Sequence, residues 1–249
     1  GGIDTISTTA ISLTLQAGIE HGSLNGLAAI SLTGNDADNR LSGTDGANVL
    51  TRGAGNDTLF AWKGADTLYG GDGDDTFVVD RVSDLIFDRG SIDTIHIDTS
   101  YQLVVFIEHG RLLHNGFRLI GNEGSNLLEG NFQANKLIGG LGDDTLIGHG
   151  GNDVLFGGAG DDSLTAVSGS STMYGGAGSD TLRSSDNRNI LNGGSGNDHY
   201  FIDTPYANII DSGGIDAAYS NTSFVLAAEL EIGRLLGSAA ANLSGNLEA

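Results

Sequence analysis

From Gly139 to Phe201 the chain reads GGLGDDTLI, GHGGNDVLF, GGAGDDSLT, AVSGSSTMY, GGAGSDTLR, SSDNRNILN, GGSGNDHYF, seven units of nine residues without an insertion. Most follow Gly-Gly-x-Gly-x-Asp-x-apolar-x. Nine residues are too few for a strand and a helix. They fit a six-residue turn, rich in Gly and Asp, and a three-residue strand with one apolar residue flanked by two others. Two units then make one 18-residue coil, and strands of successive coils stack about 4.8 Å apart. The expected fold is all-β: a right-handed parallel β-solenoid, two nonapeptides per coil, interrupted by less regular β-rich linking segments.

The eighth position should face inward, at Leu59, Leu68, Phe77, Leu146, Leu155, Leu164, Met173 and Leu182. One apolar residue in nine makes a thin core. At about 25 cal/mol per Å² it hardly offsets the ordering entropy of a chain with 41 glycines. Acidic residues number 32 against 11 basic, a formal charge of −21. Such a chain is either disordered or a folded scaffold neutralised by bound metal, and the regular spacing of the acids favours the scaffold. A β-helix with long apolar strands is the structural alternative, and the regular Asp period speaks against it. Nucleic acid is not an expected partner, because no basic patch meets phosphate, and an anionic membrane surface would repel the chain. No cysteine is present, so disulfides and thiolate metal sites are excluded. No apolar run is long enough for a transmembrane helix. No secretory signal opens the chain and Gly1 starts inside a repeat, so a piece of something longer is expected.

Residues 1–33 are β-branched and alternating, a linking β segment. Nonapeptides run from Gly34, and the period persists after the motif fades, so a first block spans 34–96. Residues 97–120 repeat the opening theme: SIDTIHIDTSYQLVVFIEHGRLL matches GIDTISTTAISLTLQAGIEHGSL. A second block spans 121–219, and a truncated third linking segment spans 220–249.

Loops on one edge of such a solenoid recur every 18 residues. In the second block one edge carries Asp144, Asp162, Asp180, Asp198 and Asp216 at position six, an unbroken ladder. The other carries Asn135, Asp153, Ser171 and Asn189 and is depleted. In the first block the edges carry Asn39, Asp57, Asp75 and Asp93, and Asn48, Asp66 and Asp84. Without a cation the ladder is a row of like charges. Calcium takes six to eight oxygens from carboxylates and carbonyls, whereas magnesium demands strict octahedral geometry. For a single Asp an Asx-turn would be the simpler account; five at interval 18 point to calcium. Each block opens with Asn units (Asn39, Asn48; Asn126, Asn135). These are either calcium-free starting coils, laddered by amide hydrogen bonds, or lend an oxygen to the first ion.

On these repeats the chain resembles the RTX (repeats-in-toxin) calcium-binding β-roll modules of bacterial secreted proteins. The nonapeptide is itself that family's signature, so the likeness rests on the motif match and not on the spacing argument. The linking theme (IEHG with GRLL, then GNEGSNLLEGN) is similar to segments between blocks of large RTX proteins. The resemblance implies ions between same-edge turns: carbonyls of positions 2 and 4 and the Asp of one turn, carbonyls of 1 and 3 and the Asp of the next. Carried over, one ion would sit among Gly140, Gly142, Asp144, Gly157, Ala159 and Asp162. Another would sit among Gly158, Gly160, Asp162, Gly175, Ala177 and Asp180, and a third among Gly176, Gly178, Asp180, Gly193, Ser195 and Asp198. The first block's best set is Gly53, Gly55, Asp57, Gly70, Asp72 and Asp75. Asp66, Asp84, Asp93, Asp153 and Asp216 are the remaining carboxylate candidates. The pattern departs at AWKGAD and SSDNRN, where glycines are replaced. The resemblance further implies type I secretion, unfolded at low cytosolic calcium, and folding outside, where modules with Kd about 10⁻⁴ to 10⁻³ M fill.

No catalytic residue is expected. The six histidines (His21, His96, His109, His114, His149, His199) lack close metal spacing, and no GxSxG or phosphate loop occurs. The Asp–Asp proximity that could suggest a glycosidase pair falls in turn positions assigned to metal. Position nine should point outward, stacking Ile138, Phe156 and Tyr174, with Val154 and Ile190 on the same face and a more mixed set opposite. That face would suit a polysaccharide or another copy of the chain, or is simply a stabilised sheet face. Trp62, at a turn position meant for Gly, is expected to be exposed. The function expected is a calcium-folded structural module of a larger secreted, extracellular or cell-surface protein, of adhesin, biofilm or surface-layer type. The alternative is an accessory folding, secretion or polysaccharide-binding module of a secreted hydrolase or epimerase.

Overall fold

The computed structural model describes residues 2–9, 11–185 and 188–236, and the backbone of 243–244. Parts of three expected features therefore lie outside the described residues: Gly1, the middle of SSDNRN, and most of the end of the third linking segment. The chain divides into two compact units, Gly1–Gly116 and Phe117–Ala249. The described residues are all-β, without a helix, so none holds a helix long and apolar enough to cross a membrane.

Each unit is a parallel β-solenoid. In the first, one sheet stacks strands from Thr5–Thr8 to His109–Leu112, and a second runs from Leu13–Thr14 to Leu85–Phe87. In the second unit one sheet runs from Leu127–Glu129 to Ile232–Leu235 and the other from Arg118–Ile120 to Asn208–Ile210. Within the blocks the register steps by one coil of two nonapeptides. Leu137 pairs with Leu155, then Met173, then Leu191, and Leu146 with Leu164, Leu182 and Tyr200. The linking coils are shorter: Asp93 meets Glu108 across 15 residues, as Asp216 meets Glu231.

Every expected eighth-position residue is completely buried. The flanking residues are half-buried or exposed, so each coil contributes two apolar side chains to a narrow core. Between the sheets the chain turns through glycines that no other residue could replace. Gly158 and Gly160 have φ of 126° and 133°. A Cβ on either would come within 3.0 Å of the carbonyl of Gly140 or Gly142 one coil back. The close approach of turns on this edge depends on those missing side chains.

Leu164→Ala should therefore lower stability in saturating calcium by about 2–5 kcal/mol, while the outward Thr165→Ala should stay within about 0.5 kcal/mol. Denaturant unfolding of both variants checks this, and equal effects would contradict the one-sided core.

Candidate metal centre

The position-six residues enter the strands at the turn edges, and a single hydrogen-bond rule joins them. Each backbone N–H donates to the position-six side chain one coil on. Asn126 N–H donates to Asp144 Oδ1 at 2.8 Å, Asp144 to Asp162 at 2.8 Å and Asp162 to Asp180 at 2.8 Å. Asp180 N–H then meets Asp198 at 2.7 Å, and Asp198 meets Asp216 at 2.8 Å. In the first block the chain runs from Asn39 to Asp57, Asp75 and Asp93. The opposite edges obey the same rule from Asn48 through Asp66 to Asp84, and from Asn135 through Asp153 and Ser171 to Asn189. Thus one oxygen of each carboxylate is committed to the neighbouring coil.

The other oxygen has no hydrogen-bond partner, and only at Asp57 does it meet a counter-charge, that of Arg52. Oδ2 of Asp57, Asp66, Asp75, Asp84, Asp93, Asp144, Asp153, Asp162, Asp180, Asp198 and Asp216 is buried without a hydrogen bond. Burial pushes the carboxyls of Asp66, Asp75, Asp84, Asp93, Asp144, Asp153, Asp162, Asp180, Asp198 and Asp216 above the usual carboxylate range, that of Asp75 against the pull of Arg52. Asp144, Asp153, Asp180 and Asp198 are raised to about 6, and Asp162 and Asp66 to about 7. In each case desolvation is the largest cause. A row of desolvated, singly bonded carboxylates has the donor chemistry of a cation site, and the residues fit calcium.

Backbone oxygens converge on the same places. A Cβ on Gly139 would meet Asp144 Oδ2 and the Gly157 carbonyl; one on Gly157 would meet Asp162 Oδ2 and the Gly175 carbonyl; one on Gly175 would meet Asp180 Oδ2 and the Gly193 carbonyl. Gly140, Gly158 and Gly176 pair in register, as do Ala159 and Ala177, and Gly176 with Gly194 and Ala177 with Ser195. Ala177 and Ser195 carbonyls already accept Gly160 and Gly178 N–H at 2.9 Å. In the first block Gly53 and Gly55 carbonyls face Gly71 and Gly73, Ala54 bridges Asp72, and Gly70 lies beside Asp75. There a side chain intervenes: Arg52 forms ion pairs with Asp57 and with Asp75.

The Asn units behave differently. Asn39, Asn48, Asn126 and Asn135 turn Oδ1 back onto position two of their own turn, at Asn35, Thr44, Asn122 and Asn131 N–H, 2.6–2.7 Å away.

Sequence reading missed several participants. Asp88 and Asp211 stand at position one of DRGSID and DSGGID and complete clusters with Asp75 and Asp93, and with Asp198 and Asp216. Carboxylate oxygens within each cluster lie within 4.8 Å of one another. Asp93 is raised to about 8 and Asp216 to about 7, first by burial, then by Asp88 and Asp211 respectively. Glu20, Glu108 and Glu231 accept the N–H of Asp4, Asp93 and Asp216 at 2.8–2.9 Å, in the place of a next Asp. The repeated IEHG at 19–22 and 107–110 carries the first two of these glutamates, and the glutamate, not the histidine beside it, joins the ladder.

Outside the ladders, Phe156 and Tyr174 stack at 4.9 Å with Lys136 over Phe156. On the other sheet Phe201 and Tyr219 stack at 4.9 Å. Trp62 is exposed, with φ 59° and Nε1–H donating to Ser42 Oγ at 2.8 Å.

Fold and donor set together define a calcium-binding β-roll. The family described as RTX calcium-binding nonapeptide repeat (4 copies) matches residues 33–68, 53–77, 118–146, 129–164 and 165–200, just over half of the chain. The chain belongs to this RTX repeat family, and calcium binding by its repeats follows. No curated protein matches the chain.

The raised carboxyls set a pH dependence. Folded values of about 6–7 exceed the unfolded value of about 3.9, so the calcium-free folded state holds more protons than the unfolded one. Its stability should be greatest below about pH 4 and be lost as pH rises through 6–7. In calcium-stripped protein the β-sheet circular dichroism should fall between pH 5 and 8; an unchanged signal over that range would refute it. With calcium present the half-saturating concentration should rise as pH drops below about 6, because protons compete for the same oxygens.

Proposed function

We propose that this chain is a calcium-folded structural module of a larger secreted bacterial protein, of adhesin, biofilm or surface-layer type, working outside the cell or at its surface. The observation that carries the reading is the row of buried, unpartnered Oδ2 atoms. A fold with so many desolvated carboxylates is poor without cations and sound with them, so its stability is linked to ambient calcium. At low cytosolic calcium the module stays open and passes through type I secretion; at extracellular calcium, with Kd about 10⁻⁴ to 10⁻³ M, it closes. The ligands are the Asp144–Asp162–Asp180–Asp198–Asp216 ladder with the carbonyls named above, then Asp75 and Asp93, then Asp66 and Asp84. Asp153 is a weaker site, since its next neighbour is Ser171. The expected division at 33/34, 96/97, 120/121 and 219/220 stands as part of this proposal.

A second reading is an accessory module of a secreted hydrolase or epimerase that binds polysaccharide or a second copy of itself. The aromatic stack of Phe156 and Tyr174, in register with Ile138 and with Tyr174 exposed, favours it as an apolar patch on the sheet face.

Calcium titration followed by circular dichroism tests the main reading. The stripped chain should gain most of its β signal as calcium rises through 10⁻⁴ to 10⁻³ M. Asp162→Asn, which removes a carboxylate shared by two rungs, should shift the midpoint upward more than Asp153→Asn. A fully formed β spectrum in chelated protein, unaltered by calcium, would sink the proposal.

A further inference from the structure

Position one of each turn decides what the orphan oxygen meets. At Gly139, Gly157 and Gly175 no side chain exists, and Oδ2 of the same turn's Asp points into the vacated space; at Gly193 the Tyr200 hydroxyl shares that space with Asp198 Oδ2. In the turn 52–57 that position is Arg52. Its Nη1 pairs with Asp57 Oδ2, and its Nη2 lies 3.1 Å from Asp75 Oδ1, with all three side chains wholly buried. One guanidinium therefore touches two consecutive carboxylates of the ladder, in the place where the glycine turns leave room for an ion. A guanidinium keeps its charge at neutral pH, so both contacts are made by a cation.

We propose that Arg52 is a built-in cation that replaces calcium between the turns of Asp57 and Asp75, so that this rung closes without metal. The inference rests on the calcium reading of the glycine-bearing rungs. Arg is suited to the task because its planar fork reaches two carboxylates at once and stays charged when desolvated. A divalent ion in the same space would face a fixed positive charge at contact distance, in a medium of low dielectric. The rung before it is also settled without metal: Asn39 N–H reaches Asp57 Oδ1, and Asn39 Oδ1 accepts its own turn's N–H. The turns that open the first ladder thus form a metal-independent start, and the ion-demanding oxygens begin with Asp75, Asp88 and Asp93.

Two measurements on the whole chain test this. In calcium-stripped protein, the Asp57 amide, bonded to Asp75 Oδ1 at 2.9 Å, should exchange at least about tenfold more slowly than the Asp162 amide, bonded to Asp180 Oδ1 at 2.8 Å. Equal or faster exchange at Asp57 overturns the inference. Arg52→Gly, which restores the repeat, should bind one more calcium per chain than the parent in equilibrium dialysis. An unchanged, non-zero count in folded Arg52→Gly refutes the role of Arg52 while leaving the calcium reading intact. No calcium bound by either protein refutes both. If Arg52→Gly does not fold in calcium, the exchange comparison on the parent decides.

Discussion

Everything in these two solenoids depends on a carboxylate divided between two tasks. One oxygen of each position-six Asp accepts the N–H of the coil before it, which fixes the 18-residue register and brings turns close. The other is buried by that same closeness and, except at Asp57, where Arg52 reaches it, left without a donor. Satisfying the first oxygen creates the need at the second. An uncompensated buried charge costs far more than a hydrogen bond returns, so the stacking that builds the edge cannot be stable until a cation arrives or a proton does. On the proposed reading, folding and metal binding are coupled on the glycine-bearing rungs.

The chain answers that need in several ways, and the residue at position one selects among them. Glycine leaves the space open for an ion. Arg52 fills it with a guanidinium. Ser184 supplies a hydroxyl that accepts Asn189 Nδ2–H at 2.8 Å, on the edge where the carboxylates run out. Asp88 and Asp211 deepen the negative charge at the last turn of each block. Asn at position six removes the charge and returns its oxygen to its own turn. On the proposed reading a single repeat scaffold thus ranges from metal-free to metal-demanding rungs through the side chains at positions one and six.

The coil, the inward Leu at position eight and the unequal edges of the second block were legible because each is a matter of period, and period survives even where the motif fades, as at Asp93 and Asp216. The linking coils were harder to read. There the chain advances 15 residues instead of 18, so Glu108 and Glu231 arrive at the ladder out of step with any nonapeptide count. Position one was harder for another reason. Spacing says that Arg52 interrupts a glycine pattern, but not that its side chain and Asp57 Oδ2 share one buried volume. That convergence comes from the turn's backbone, whose positive-φ glycine at position four, Gly55, bends it back on itself.

The same view explains why a glycine-rich, acid-rich chain with a one-residue-per-turn core is not merely a disordered polyanion. The core at Leu146, Leu155 and Leu164 is too narrow to specify the stacking alone, but it aligns the strands so that carboxylates recur at coil spacing. Aromatic pairs such as Phe156 with Tyr174 and Phe201 with Tyr219 reinforce that spacing from outside. Core, outer stacks and N–H-to-carboxylate bonds all repeat at the same interval. On the proposed reading a cation and the alignment of the turns stabilise each other, and each bound ion would lower the repulsion met by the next turn. The shared period would then make closure along the ladder cooperative, with the Asn and Arg52 turns as the end of least charge cost.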